Sequence, residues 1–237
     1  MDEPVTVDDL PGATEMKPIE GNVQFKDVTF SYDGEVNVLE HMNLDVKAGQ
    51  SIALVGPTGA GKTTIVNLIS RFYNLTGGEV DIDGTDISTV TLHSLRSQMG
   101  IMLQDSFIFS GTILDNIRYS KLDATMEEVK KACHIVCADE FIEEMEDGYN
   151  TQVQEKGSRL SQGQRQLIAF ARTILRDPRI LILDEATSSI DVKTEKQLQE
   201  GLQNMLKGRT SFIVAHRLST IRNCDRILYI SDKGILE

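Results

Sequence analysis

Apolar and polar residues alternate at Val23 and Phe25, and again at Val28 and Phe30, up to a turn at Asp33-Gly34. Val36, Val38, Leu44 and Val46 continue the alternation as far as Ala48-Gly49. Period-two patterning between glycine turns predicts an antiparallel β region. Ser51–Val55 is different. Its apolar run is unbroken, as in a strand buried on both faces of a parallel sheet. From about 105 to 160 the pattern turns helical and more polar, with short helices predicted around Leu114 and Ile117, over Met126–Cys137 and over Phe141–Met145. Ser161 opens an amphipathic helix whose apolar stripe is Leu167, Ile168, Ala171, Ile174 and Leu175. Beyond it lie a buried strand (Ile180–Leu183), a helix (Thr194–Leu206) and two more strands (Ser211–Val214 and Arg226–Ile230). Strands alternating with helices around an inserted helical segment predict an α/β core with a parallel sheet. Residues 1–20 are acidic, carry Pro4, Pro11 and Pro18, show no periodicity and read as a linker.

Composition narrows the function classes. The 237 residues hold 24 Lys and Arg against 36 Asp and Glu, a net charge of -12. Proteins that bind nucleic-acid backbone carry a basic face, so a nucleic-acid partner is not expected. No apolar run approaches the roughly 18 to 20 residues that span a bilayer. The acidic start (Asp2, Glu3, Asp8, Asp9) is the reverse of a signal peptide. Three cysteines, Cys133, Cys137 and Cys224, fit a reducing compartment. Cys133, His134 and Cys137 fall within one or two helical turns with no second ligand cluster, and read as plain helix rather than a zinc site.

The chemistry begins at Gly56-Pro57-Thr58-Gly59-Ala60-Gly61-Lys62-Thr63, which fits G-x-x-x-x-G-K-[ST]. The motif follows an apolar strand and opens an apolar helix (Ile65, Leu68, Ile69). Glycines let the backbone curl around a phosphate, and the curled N–H groups with the helix N-terminus form an anion nest. Lys62 reaches the β and γ phosphates and the Thr63 hydroxyl can ligate Mg²⁺. Thr64 carries this candidate phosphate-binding stretch into the helix. Asp184, directly after the buried strand 180–183, is suited to hold the Mg²⁺. Glu185 follows it, and a carboxylate beside the γ-phosphate can polarise an attacking water.

Further motifs, in order, resemble the nucleotide-binding domain of ABC transporters of the exporter type, from about residue 21 to the C-terminus. Leu160-Ser161-Gln162-Gly163-Gln164-Arg165-Gln166 looks like the family's signature, usually Leu-Ser-Gly-Gly-Gln. The resemblance implies roles for single residues. Gln104 is similar to the glutamine that reaches the Mg²⁺ and transmits closure, and Tyr32 to the aromatic that stacks on adenine. Asp191, in Ser188-Ser189-Ile190-Asp191, corresponds to the loop at the dimer seam, and His216 to the switch histidine that contacts the γ-phosphate. Thr151–Gly157 is similar to the short segment that marks exporters and touches the membrane-domain helices.

The family's fold is a P-loop NTPase (RecA-like) α/β core with an antiparallel β subdomain and an inserted α-helical subdomain, here expected over about 105–165, carrying the signature. On that basis residues 1–20 are expected to be a linker from a membrane domain, and 21–237 the nucleotide-binding domain. The expected ligands are ATP and Mg²⁺. The expected partners are a second nucleotide-binding domain and the transporter's own transmembrane domain, at the cytoplasmic face of the cell (inner) membrane.

Ser161-x-x-Gln164 before an apolar stripe is also a capping box, in which Ser161 caps the helix and Gln164 reaches back. The same helix end offers N–H groups to an anion. In the family that anion is the γ-phosphate of ATP held by the other subunit, with Ser161, Gln162, Gly163 and Gln164 as the matching residues. Gln162 replaces the first glycine, and falls where φ is negative and a side chain causes no strain. Both a homodimer and a heterodimer with an altered second site fit this substitution. Two other readings are a soluble ABC-type ATPase of DNA repair or translation and a regulatory ATP-binding module. The acidic charge, and the lack of a heptad run between Gly56 and Leu160, speak against the first.

Overall fold

The computed structural model describes residues 7–102, 107–154, 160–184, 192–215, 218–231 and 234–236. In chain order, β1 (Val23–Ser31), β2 (Asn37–Val46) and β3 (Ser51–Val55) lead into α1 (Lys62–Ile69). Then come β4 (Gly77–Ile82), β5 (Thr85–Asp86), α2 (Leu92–Arg96) and β6 (Met99–Met102). They are followed by β7 (Gly111–Thr112), α3 (Ile113–Arg118), α4 (Met126–Ile135), α5 (Asp139–Glu143), β8 (Gln152–Val153) and α6 (Gln162–Ile174). The chain closes with β9 (Ile180–Asp184), α7 (Val192–Leu206), β10 (Thr210–Val214), α8 (Leu218–Ile221), β11 (Arg226–Ser231) and β12 (Gly234–Leu236). These elements form two units. One takes in Met1–Met99, Arg179–Asp184 and Gly208–Glu237, the other Gly100–Pro178 and Glu185–Lys207.

In the first unit an antiparallel sheet runs β2-β1-β4-β5. The inward positions of β1 switch from odd (Val23, Phe25) to even (Val28, Phe30), and those of β2 from odd (Leu39) to even (Met42, Leu44, Val46). Both switches occur at a residue with positive φ, Asp27 (51°) and His41 (49°). Paired irregularities there break the register, so each strand keeps one face apolar on either side of the break. The expected strand start at Val36 is different: Val36 is exposed and β2 begins at Asn37. Asp33 Oδ1 accepts the N–H groups of Glu35 (2.9 Å) and Val36 (3.0 Å), which prolongs the turn.

The second sheet has the order β12-β11-β3-β10-β9-β6. β10 pairs in parallel with β3 and β9, β11 in parallel with β3, and β12 antiparallel with β11. The uninterrupted apolar runs of β3, β9 and β10 are buried on both faces, as parallel strands require. Residues 71–100 supply β4, β5, α2 and the start of β6.

Residues 7–20, expected as a linker, are fastened to this unit. Met16 and Ile19 are buried. Met16 N–H donates to Ser94 Oγ (2.8 Å) and Ile19 N–H to Gln98 Oε1 (2.9 Å), while Thr14 bridges Val90. The Asp83 carboxylate accepts the N–H groups of Glu20 (2.7 Å), Gly21 (3.1 Å) and Asn22 (2.9 Å).

The second unit is helical and wider than the expected 105–165, because α6 and α7 pack together within it and α3 and α4 pack on α6. Three of its helices, α3, α4 and α6, start at capping boxes: Thr112 with Asp115, Thr125 with Glu128, Ser161 with Gln164. Arg172 on α6 ties α3 in place, donating to Asn116 O (2.7 Å), Asn116 Oδ1 (3.0 Å) and Phe107 O (2.9 Å).

Candidate functional site

The strand β3 ends at Val55, and the chain turns through Gly56–Gly61 into α1. Gly56 has φ 145°, and a Cβ on it would lie 2.3 Å from Ile230 O, so only glycine fits beside β11. Gly61 has φ 100° and is the N-cap of α1, which has no side-chain cap and no acid in its first turn. The first N–H groups of the helix are therefore left for an anion, and the helix dipole favours one there. Pro57, Thr58 and Gly59 form the exposed crown of the loop, with Ala60 N–H donating to Pro57 O (3.2 Å). Lys62 is 8% exposed. Its Nζ donates to Gly56 O and Pro57 O, both at 2.8 Å. A fixed positive charge thus sits in the curl of the loop, held by the loop's own carbonyls.

Sheet topology brings Asp184 to the same edge. Val214 on β10 pairs with Leu54 on one side and with Asp184 on the other. All three strands are parallel, so Asp184 and the start of the loop leave the sheet in the same direction. They are two strand spacings apart, roughly 10 Å. Thr63 is exposed at the first turn of α1. A carboxylate and a hydroxyl form an all-oxygen donor set of the kind a hard divalent cation such as Mg²⁺ takes. Among the described residues no group of three or more His, Cys, Asp or Glu gathers as a metal site.

Tyr32, just past the end of β1, has its hydroxyl 3.0 Å from Thr64 Oγ1, which joins this aromatic to the first turn of α1. Thr64 itself is buried. Phe30 and Tyr73 pack against Tyr32, while about half of the Tyr32 side chain stays exposed (51%). The preceding and following residues are pinned. Ser31 Oγ donates to Asp33 Oδ1 (2.9 Å) and Gly34 N–H donates to Ser31 Oγ (2.9 Å). The N–H groups of Val36 and Glu35, with the Ser31 hydroxyl, hold the Asp33 carboxyl down at about 2.

In the second unit, Ser161 is the N-cap of α6. Ser161 Oγ accepts from Gln164 N–H (3.2 Å), and Gln164 Oε1 accepts from Ser161 N–H (2.9 Å). Gln162 occupies the first helical position with its side chain exposed, and Gly163 is buried. Because Ser161 Oγ is an acceptor within the box, its own O–H remains a donor for another group. Arg165 Nη1 donates to Leu160 O (2.8 Å) and fixes the chain entering the helix. Of the exporter-type segment, Gln152–Val153 forms β8, paired with β7.

The structure therefore brings Tyr32, residues 56–64 and Asp184 together in one unit and Ser161–Gln164 together in the other. Gln104, Glu185, Asp191, His216 and residues 155–157 lie outside the described residues. Tyr73 escapes any reading of the sequence, because nothing local pairs it with a residue 41 positions earlier.

Several known proteins are similar to this chain over nearly its whole length. The family model described as ABC transporter matches residues 39–188. The uncharacterized ABC transporter ATP-binding protein YknV of Bacillus subtilis (strain 168) is 54% identical over 97% of this chain and 38% of its own length. The ATP-dependent lipid A-core flippase of Desulfotalea psychrophila (strain LSv54 / DSM 12343) is 47% identical over 98% of this chain and 40% of its own. A solved structure of a bacterial Atm1-family ABC exporter with ATP bound superposes with a TM-score of 0.89. It is 40% identical and covers 98% of this chain and 41% of that one. The chain thus spans about two fifths of the length of the relatives it matches. No described helix is long and apolar enough to cross a membrane. Matched by that family model over most of its length and by relatives 47% and 54% identical over nearly all of it, the chain belongs to the ABC transporter family.

Proposed function

We propose that this domain binds ATP with Mg²⁺ in the loop 56–63 and hydrolyses it when a second copy of the domain closes on it head to tail. Closure and release then drive transport across a membrane. The observation that carries the reading is Lys62, held inside a glycine-walled curl at a helix start that no side chain caps. A triphosphate is the ligand whose charge and shape answer that arrangement.

In this mechanism Tyr32 stacks on the adenine, and the loop amides with Lys62 hold the β and γ phosphates. Thr63, Asp184 and Gln104 would hold the Mg²⁺, which would neutralise charge on the phosphate oxygens. The partner copy's signature helix turns its free amides and the Ser161 O–H toward the γ-phosphate. That contact excludes water from the phosphates except for the one that Glu185 polarises, and His216 contacts the γ-phosphate oxygens. Asp191 lies at the seam between the two copies. Losing the γ-phosphate removes the charge that both copies share, and the dimer opens. The region of Gln104 and residues 151–157 passes the motion to membrane helices at the cytoplasmic face.

ATP binding and turnover measured on Lys62→Ala and Glu185→Gln test this reading. Lys62→Ala is expected to lose ATP binding. Glu185→Gln is expected to bind ATP like the parent, to lose nearly all turnover and to accumulate as an ATP-bound dimer. Parental affinity in the first variant, or parental turnover in the second, would reject the assignments.

A further inference from the structure

Tyr73 does not belong to any motif, yet it is built into the wall beside the loop. Its ring centroid lies 5.0 Å from that of Tyr32, with the planes at 89°. Phe30 lies 4.8 Å from Tyr32 at 84° and 5.7 Å from Tyr73 at 58°. Perpendicular pairs at these distances are favourable aromatic geometry. Tyr32 is thus gripped by two rings and by the hydroxyl contact to Thr64.

Tyr73 is itself fixed from both sides. Ser70 and Arg71 follow α1, and Arg71 takes a left-handed φ of 50°, which turns the chain off the helix axis. Arg96 braces that turn. It donates through Nε to Ser70 O (3.0 Å) and through Nη2 to Arg71 O (2.6 Å), and its guanidinium stacks 4.9 Å from the Phe72 ring. Three residues after Tyr73 the chain is fastened to β1: Thr76 N–H donates to Thr29 O, and Ser31 N–H donates to Thr76 Oγ1, both at 3.1 Å. The segment that carries Tyr73 therefore links the end of α1 to the strand that leads into Tyr32. Tyr73 is 38% exposed, and its ring packs on both Tyr32 and the buried Phe30.

From this we infer that Tyr73 is a positioning residue for the nucleotide base: it holds the Tyr32 ring in the orientation that receives a purine, and so links base recognition to the phosphate loop through one wall of aromatic side chains. The inference rests on the ATP-binding reading above.

Equilibrium titration of the 237-residue chain with ATP and, separately, with inorganic triphosphate tests it, for the parent, Tyr73→Leu and Tyr73→Phe. Leucine removes the aromatic partner, and an aromatic pair of this kind corresponds to roughly a fivefold change in affinity. Tyr73→Leu is expected to weaken ATP by about that factor and to leave inorganic triphosphate unchanged, while Tyr73→Phe restores parental ATP affinity. Three results would overturn the inference: ATP bound equally well by Tyr73→Leu, equal loss of ATP and triphosphate, including through loss of fold, or a Tyr73→Phe variant no better than Tyr73→Leu. A parent chain that binds neither ligand would instead defeat the ATP-binding reading itself.

Discussion

Gly56 faces the carbonyl of Ile230 so closely that a Cβ would stand 2.3 Å from the oxygen. At the same residue φ is 145°, a region closed to other side chains. The first residue of the loop is therefore set by a backbone contact with β11 as well as by its own backbone conformation. Gly56→Ala is expected to destabilise the fold by about 2 kcal/mol or more and to abolish ATP binding, since the loop can accept a methyl group only by moving. Thermal unfolding and ATP titration of the variant check both effects. A variant with parental stability and affinity would show that the loop tolerates a different path.

Arg172 anchors the helical unit through three donated hydrogen bonds, and burial lowers its pKa from the ordinary arginine range. Arg172→Met leaves the carbonyls of Phe107 and Asn116 without that donor. A loss of about 2 to 4 kcal/mol is expected, read as a lower melting temperature. The phosphate loop lies in the other unit, so ATP affinity of the folded fraction should stay within about twofold of the parent.

Asp83 predicts a pH dependence. Burial pushes its carboxyl pKa up, but hydrogen bonds from Asn22, Gly21 and Glu20 outweigh this and hold it below the ordinary value. A depressed folded pKa contributes stability above the unfolded value, near 4, which is lost as pH falls through the folded value. Asp83→Ala should therefore cost about 1 to 2 kcal/mol at neutral pH. The gap between variant and parent should narrow steadily below about pH 4. A gap that does not change with pH would mean that the carboxylate charge contributes nothing to holding residues 20–22.

At the signature helix two roles meet in Ser161. Ser161→Ala removes the cap of α6 and should cost about 1 kcal/mol in stability. Turnover at high protein concentration should fall far more than that loss explains, because the hydroxyl proton is also the donor proposed for the partner's γ-phosphate. Gln162→Gly should change stability by less than about 1 kcal/mol, since the first helical position carries no strain with either residue. Chemical denaturation alongside phosphate release separates the two roles.

Elements with a clean period were readable from the chain. The apolar runs of β3, β9 and β10 and the stripe of α6 behind Ser161 each announce both a structure and a place within it. The breaks at Asp27 and His41 were visible only as a change of phase, because a left-handed bulge leaves no pattern of its own. Residues 71–100 escaped because their elements are short and are fixed by partners far away, such as β4 by β1. Residues 7–20 look like linker in composition, yet Ser94, Gln98 and Asp83 fasten them, and none of those bonds has a local signal. In the site, the loop 56–63 and Asp184 were legible from motif and strand end. Tyr73 was not, since its partner lies on another element.

Whether two chains complete each ATP is read from the initial rate of phosphate release against protein concentration at saturating ATP and Mg²⁺. With shared sites the rate rises with the square of concentration while the dimer is scarce and becomes proportional to it once the dimer dominates. A rate strictly proportional to concentration from the most dilute samples upward, in a chain that stays monomeric with ATP bound, would contradict shared sites.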